Sequence, residues 1–174
     1  MGGILSYLTG DNDPNLDIPD STTGLTPREC QTVQYTWSLV YQNSKPAGVQ
    51  LFIELFRTHP EYQSMFPSFR GVALSQLEKS KKLEAHATNV MSSIATLVDN
   101  LGDVECLVEL ARKIGENHGR RKLKQQAFID VKILLMRILK QNLGSKLTPL
   151  GEEAWSKTLD LANKFIFQGL QPNN

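Results

Sequence analysis

The chain has 174 residues, a formal net charge of +1 and an ordinary mix of 40% hydrophobic and 21% charged residues. That length suits one domain with one core. The balanced charge gives no case for nucleic-acid binding or for an acidic partner, and no apolar run is long enough to cross a bilayer.

Residues 1–25 differ from the rest. DNDPNLDIPDSTTG is rich in Asp, Pro, Ser and Thr and holds four Asp without a Lys or Arg. Such a stretch buries too little to offset its ordering entropy, which predicts a flexible arm. No basic stretch followed by an apolar one opens the chain, so a secretory signal is not expected. MGGILS matches the pattern M-G-x-x-x-[ST] for N-myristoylation at Gly2, with Ser6 in place. The pattern is loose, and chance produces it as readily.

The folded domain is expected over residues 26–170, with 171–174 as a tail. Thr26-Pro27-Arg28-Glu29 is a helix start: Thr26 as cap, Pro27 at the first helical position, Glu29 reaching back. Val33, Trp37 and Val40 follow at helical spacing. Pro46 opens a second helix with Val49, Phe52, Ile53 and Phe56 on one face. His59-Pro60 interrupts it, because the residue before proline leaves the α region. A short helical turn then ends at Phe66-Pro67. From Leu74 to Leu101 the pattern reads as one long helix, ended by Gly102. Val104 to Asn117 forms the next, with Gly119 placed to close it in a left-handed conformation. Gln125 to Leu143 follows, stopped by Gly144, and Thr148-Pro149 begins the last helix. No stretch alternates as a half-buried strand does. The fold class is all-α, with helices crossing obliquely.

Cys30 and Cys106 lie far apart and make no metal spacing, which favours two free thiols in a reducing compartment over a disulfide. No serine elbow, phosphate loop, HExxH or paired-carboxylate motif is present.

The sharpest chemical signal is His86 in LEAHATNVMSSI and His118 in LARKIGENHGRR. Two histidines on consecutive helices could approach one metal from opposite sides. The aromatic segment HPEYQSMFPSF could wedge a flat apolar cofactor, and the two features together point to haem. A neutral imidazole at His118 would serve as axial ligand, its second nitrogen donating to the Ile114 carbonyl one turn earlier. Ile114 would pack on the ring face. His118 could equally be an exposed histidine favoured by a helix C-terminus. His86 could sit over the iron, with Val90 one turn on, or face solvent; spacing cannot choose. Phe66, Phe69 and Phe52 could line a pocket or simply fill the core, and Phe128 is placed with the cofactor contacts. Lys122, in the basic cluster around His118, is the candidate for haem propionates, although such clusters are most often solvated. His59 is read as a helix-start residue without a ligand role.

Taken together, Trp37, GVQLFIELFRTHPEYQSMFPSF, His86 with Val90, His118 and LGSKLTPLGEEAW resemble an animal globin of the neuroglobin and globin-X kind, from Thr26 to about Gln168. The resemblance implies a three-over-three helical sandwich around haem b. By position it makes His118 the proximal ligand, His86 the distal histidine, Phe66 the wedge on the haem face, and Phe52 and Val90 the walls of the ligand site. It implies binding of dioxygen, carbon monoxide and nitric oxide. It also implies iron held by both histidines until a gas displaces His86. The other implied role is redox: nitrite reduction, nitric-oxide dioxygenation or electron transfer with an unknown reductase. Globin-X-like proteins are similar in carrying an acylated extension. Here no basic residue precedes Arg28, and a single acyl chain gives only marginal binding. The expectation is a cytoplasmic protein with at most weak attachment to the inner face of the plasma membrane.

Overall fold

The computed structural model describes residues 13–170. Gly2 and Ser6, and the 171–174 tail, lie outside the described residues. Eight α-helices account for most of the chain, and no strand occurs among the described residues: α1 (Pro27–Tyr41), α2 (Ser44–Thr58), α3 (Pro60–Ser64), α4 (Leu74–Leu77), α5 (Lys81–Asp99), α6 (Val104–Gly119), α7 (Gln125–Leu143) and α8 (Pro149–Leu170). Helices α1, α5 and α6 form one layer and α2, α7 and α8 the other. The closest packing runs between layers, α6 on α8, α2 on α5 and α1 on α8.

Local chemistry sets the helix starts. Thr26 Oγ1 accepts from Glu29 N at 3.1 Å, and Glu29 Oε2 accepts from Thr26 N at 2.8 Å, a reciprocal cap. Glu29 is buried, and its other oxygen takes Lys157 Nζ at 2.7 Å, so the cap also ties α1 to α8. Trp155, fully buried, packs on Trp37 and donates from Nε1 to Thr36 Oγ1 at 2.9 Å.

Two crossings use missing side chains. At Gly48 on α2 a Cβ would press on Met91 and Ala87 of α5. At the α6–α8 crossing Gly115 and Gly169 interlock. A Cβ on Gly115 would meet the Ile166 carbonyl oxygen, and one on Gly169 the Arg112 carbonyl oxygen.

Four expectations change. The stretch from Leu74 to Leu101 is not one helix: after the single turn α4, Ser80 takes an extended conformation and its hydroxyl accepts from Leu83 N, capping α5 afresh. Helix α2 begins at Ser44, two residues before Pro46. Helix α6 runs through Gly119, which serves close approach to Leu170 rather than a left-handed stop; the left-handed residue is Lys122, φ 60°. Residues 13–25, read from composition as part of a flexible arm, stay mostly exposed but are tied to α1. Leu25 is 1% exposed, Arg28 pairs with Asp17, and Asp20 accepts from the Thr22 and Thr23 amides. One inserted leucine outweighs the polar composition around it. Cys30 and Cys106 are free, and burial pushes the Cys30 thiol above its ordinary value.

Candidate functional site

His118 sits in the last turn of α6, half-buried. Its Nδ1 lies 2.8 Å from the Ile114 carbonyl oxygen. A carbonyl can only accept, so Nδ1 carries the proton, and in the neutral ring the free lone pair is on Nε2. The ring is also held edge-on by Phe128 of α7 at 5.3 Å, which in turn meets Phe167 of α8 at 6.4 Å. The turn that carries His118 is pressed on α8 by the Gly115–Gly169 crossing, so the imidazole stands on a fixed backbone.

His86 sits in the second turn of α5. Three phenylalanine rings hem it in: Phe52 at 4.8 Å, Phe66 at 5.2 Å and Phe69 at 6.3 Å, each edge-on. Among the described residues no hydrogen bond fixes the His86 ring comparably to that of His118. Burial holds its pKa below the ordinary histidine value, with the charges of Arg121 and then His118 adding to the effect. His86 is therefore a neutral imidazole at neutral pH, the form that binds a metal.

The helices bearing these histidines are consecutive yet barely touch. Val90 and Ile94 on α5, Ile114 on α6, and Phe128 and Val131 on α7 are only half-buried, although each packs against the core. Apolar side chains left half-covered on inward stretches of three helices suit a flat apolar guest. The donor set fits the same guest. Among the described residues no group of three or more His, Cys, Asp or Glu could hold a bare ion. An iron that arrives with four nitrogens of its own needs only one or two imidazoles.

The residues read from the sequence thus fall in two groups. Phe52, Phe66, Phe69 and His86 come together on one side. Ile114, His118 and Phe128 come together on the other, with Val90 on the α5 turn after His86. Lys122 is exposed on the loop after α6, and the cation whose charge reaches His86 is Arg121. Phe69 is fully core, stacked on Phe66 at 5.5 Å.

Two features had no sequence signal. One is the Gly115–Gly169 pair. The other is a polar cluster under the aromatic wall, where Tyr62 donates to the buried carboxylate of Asp130 at 2.6 Å and Gln126 donates to the same carboxylate at 2.9 Å. An open groove of about 590 Å³ between residues 15–34 and the α5–α6 corner is lined by Ile18, Leu25, Cys30, Leu101 and Val104. It shares no residue with either histidine group.

The family model for globins matches residues 49–166. Cytoglobin-1 of Oryzias latipes is 30% identical over 146 residues, 83% of this chain and 82% of its own length. Cytoglobin-2 of the same fish is 28% identical over 145 residues, 82% of this chain and 81% of its own. Among solved structures, a hexacoordinated heme protein from an anhydrobiotic tardigrade superposes with a TM-score of 0.81 at 21% identity. That match covers 87% of this chain and 98% of the tardigrade chain.

Proposed function

The chain belongs to the globin family, and from that membership we propose a haem b protein whose iron is held by His118 and, in the absence of gas, also by His86. One observation carries the assignment of His118. Its Nδ1–H is committed to the Ile114 carbonyl at 2.8 Å, which leaves a single unprotonated nitrogen on a rigid turn. Such a bond orients a ligating imidazole and raises its basicity. Bound haem would supply an iron centre that takes diatomic gases and exchanges single electrons. Phe66 would stand against the ring face, Ile114 and Phe128 would support the side of His118, and Val90 and Phe52 would flank the gas site. Arg121 would meet the propionates by charge-assisted hydrogen bonds, with Lys122 beside it.

Two-imidazole ligation is supported by the neutral His86 within its aromatic cage, and the tardigrade protein of like fold is hexacoordinated. Dioxygen, carbon monoxide or nitric oxide would reach the iron only as His86 swings aside. The same ligation favours a redox role, because a six-coordinate iron reorganises little between oxidation states. Arg120, Arg121, Lys122 and Lys124 beside His118 would suit an acidic reductase.

The test is an optical spectrum of purified protein, ferric and ferrous, with and without carbon monoxide. Two sharp visible bands in the deoxy ferrous state are expected. A single broad band would overturn ligation by His86. Protein that stays colourless after hemin is added would overturn the whole reading. Acylation at Gly2 and weak membrane attachment are tested separately, by intact mass of protein made in eukaryotic cells.

A further inference from the structure

Two of the three rings around His86 are carried by one short stretch of chain. Phe66 and Phe69 lie in the turns after α3, whereas Phe52 stands on the regular helix α2. Within that stretch the main chain makes only tight local bonds, such as Phe69 N to Phe66 O at 2.9 Å and Val72 N to Phe69 O at 3.1 Å. Gly71, at φ 72°, reverses its direction. Two side chains close the stretch into a loop: exposed Arg70, whose Nε donates to the Ser64 carbonyl at 3.0 Å, and Gln63, which reaches further along it. Gln63 Nε2 donates to the Phe69 carbonyl at 2.7 Å and to the Val72 carbonyl at 2.8 Å, so both amide protons are used. Its neighbour Tyr62 is moored to α7 through Asp130 at 2.6 Å. Gln63 therefore transmits a fixed point on α3 to the backbone that carries Phe69, and through the Phe66–Phe69 stack to the cage.

We propose that Gln63 is a positioning residue for His86: by clamping the Phe69 and Val72 carbonyls it holds the aromatic cage closed, and so sets how readily His86 leaves the iron and a gas enters. The proposal rests on His86 as the distal ligand. Two part-buried carbonyls lose their shared side-chain donor when the amide is removed, and only that of Phe69 keeps a backbone donor, from Val72. Loss of hydrogen bonds of this kind loosens the loop enough to speed His86 release about tenfold.

The experiment uses full-length haem-loaded protein and five variants of Gln63 and His86. Gln63→Leu and Gln63→Glu remove the donors at similar size. Gln63→Lys restores a donor on a long side chain. His86→Ala, alone and with Gln63→Leu, completes a double-mutant cycle. Readouts are the ferrous deoxy spectrum, the limiting rate of carbon monoxide binding, and the melting temperature. The expected result is a shift toward the single broad band and about tenfold faster carbon monoxide binding in the Leu and Glu variants. The Lys variant should return toward wild type, and Gln63→Leu should have no further effect once His86 is alanine. Wild-type spectra and rates in both donorless variants would overturn the proposal. So would equal acceleration in the His86→Ala background, which would mark a general loosening. A wild-type protein that is itself five-coordinate would instead overturn the role of His86, so the two failures look different.

Discussion

Gly115→Ala adds one methyl group where the two layers come closest. The added carbon would run into the Ile166 carbonyl oxygen, with the Gly169 backbone next to it. A main-chain oxygen cannot turn away as a flexible side chain would, so α6 and α8 must separate. Forcing one carbon into a packed contact typically costs about 1–3 kcal/mol. Alanine regains about 1 kcal/mol as the better helix former, so the upper half of that range is needed for a clear net loss. The steric contact here is with backbone on two residues, which places it there. The expected outcome is apoprotein destabilised by about 1–2 kcal/mol in urea titration. Since Gly115 is one turn before His118, hemin should also leave faster, followed by transfer to an acceptor globin. Gly119→Ala is the internal comparison, because its Cβ would stand 3.0 Å from the Leu170 carbonyl oxygen, a gap that a small shift relieves. Gly115→Ala within about 0.5 kcal/mol of wild type, with unchanged hemin loss, would refute the reasoning.

The two histidines should respond in opposite ways: His118→Ala loses or loosens hemin, whereas His86→Ala keeps it and binds carbon monoxide faster, both read by absorbance. Tyr62 gives a prediction at alkaline pH. Burial, reinforced by the hydrogen bond to Asp130, pushes its phenol up to about 12. Its stabilising effect is then complete below pH 10, the unfolded value, and is lost between there and about 12. Tyr62→Phe should lower stability at neutral pH by about 1.5–3 kcal/mol, the range for a bond to a charged group, and flatten that alkaline decline in thermal melts. At acid pH the Glu29 cap should act. Burial works to raise its carboxyl, but the Lys157 ion pair and the Thr26 amide outweigh it and hold the pKa below the ordinary value. The cap therefore stabilises above the unfolded glutamate value and fades as pH falls through the lower folded one. Glu29→Gln should remove that acid dependence, and Thr26→Ala should cost about 1 kcal/mol in denaturant.

What could be read from the chain alone was whatever depends on neighbours within one turn. Thr26, Pro27 and Glu29 specify a cap because their partners are three residues apart. The Ile114 carbonyl could be named as the partner of His118 because a helix places it there. What escaped depends on distant chain. Ser80 suits a helix surface as well as a cap, and the break before it goes with a buried Leu77 on the preceding turn, a tertiary contact that local sequence does not carry. Leu25 closes a stretch whose composition reads as an arm, and its burial depends on the α1 and α5–α6 surfaces beside it. Gly115 and Gly169 carry no signal singly; their meaning exists only at the crossing.

If the proposed ligation holds, the contrast between the two imidazoles would make one a permanent ligand and the other a removable one. The His118 ring has a hydrogen bond along its helix, a ring at its edge, and a backbone that glycine packing presses on α8. Pulling it off a metal would break several contacts at once. The His86 ring is held by aromatic edges, and edge contacts of this kind are worth roughly 0.5–1.5 kcal/mol each. Moving His86 aside therefore trades weak, non-directional contacts for others much like them. The energetic barrier to release then lies less in His86 itself than in the loop that keeps Phe66 and Phe69 in place. A chain that needed one fixed and one yielding ligand would distribute its hydrogen bonds in this way, directional ones on His118 and, for His86, on the wall behind it.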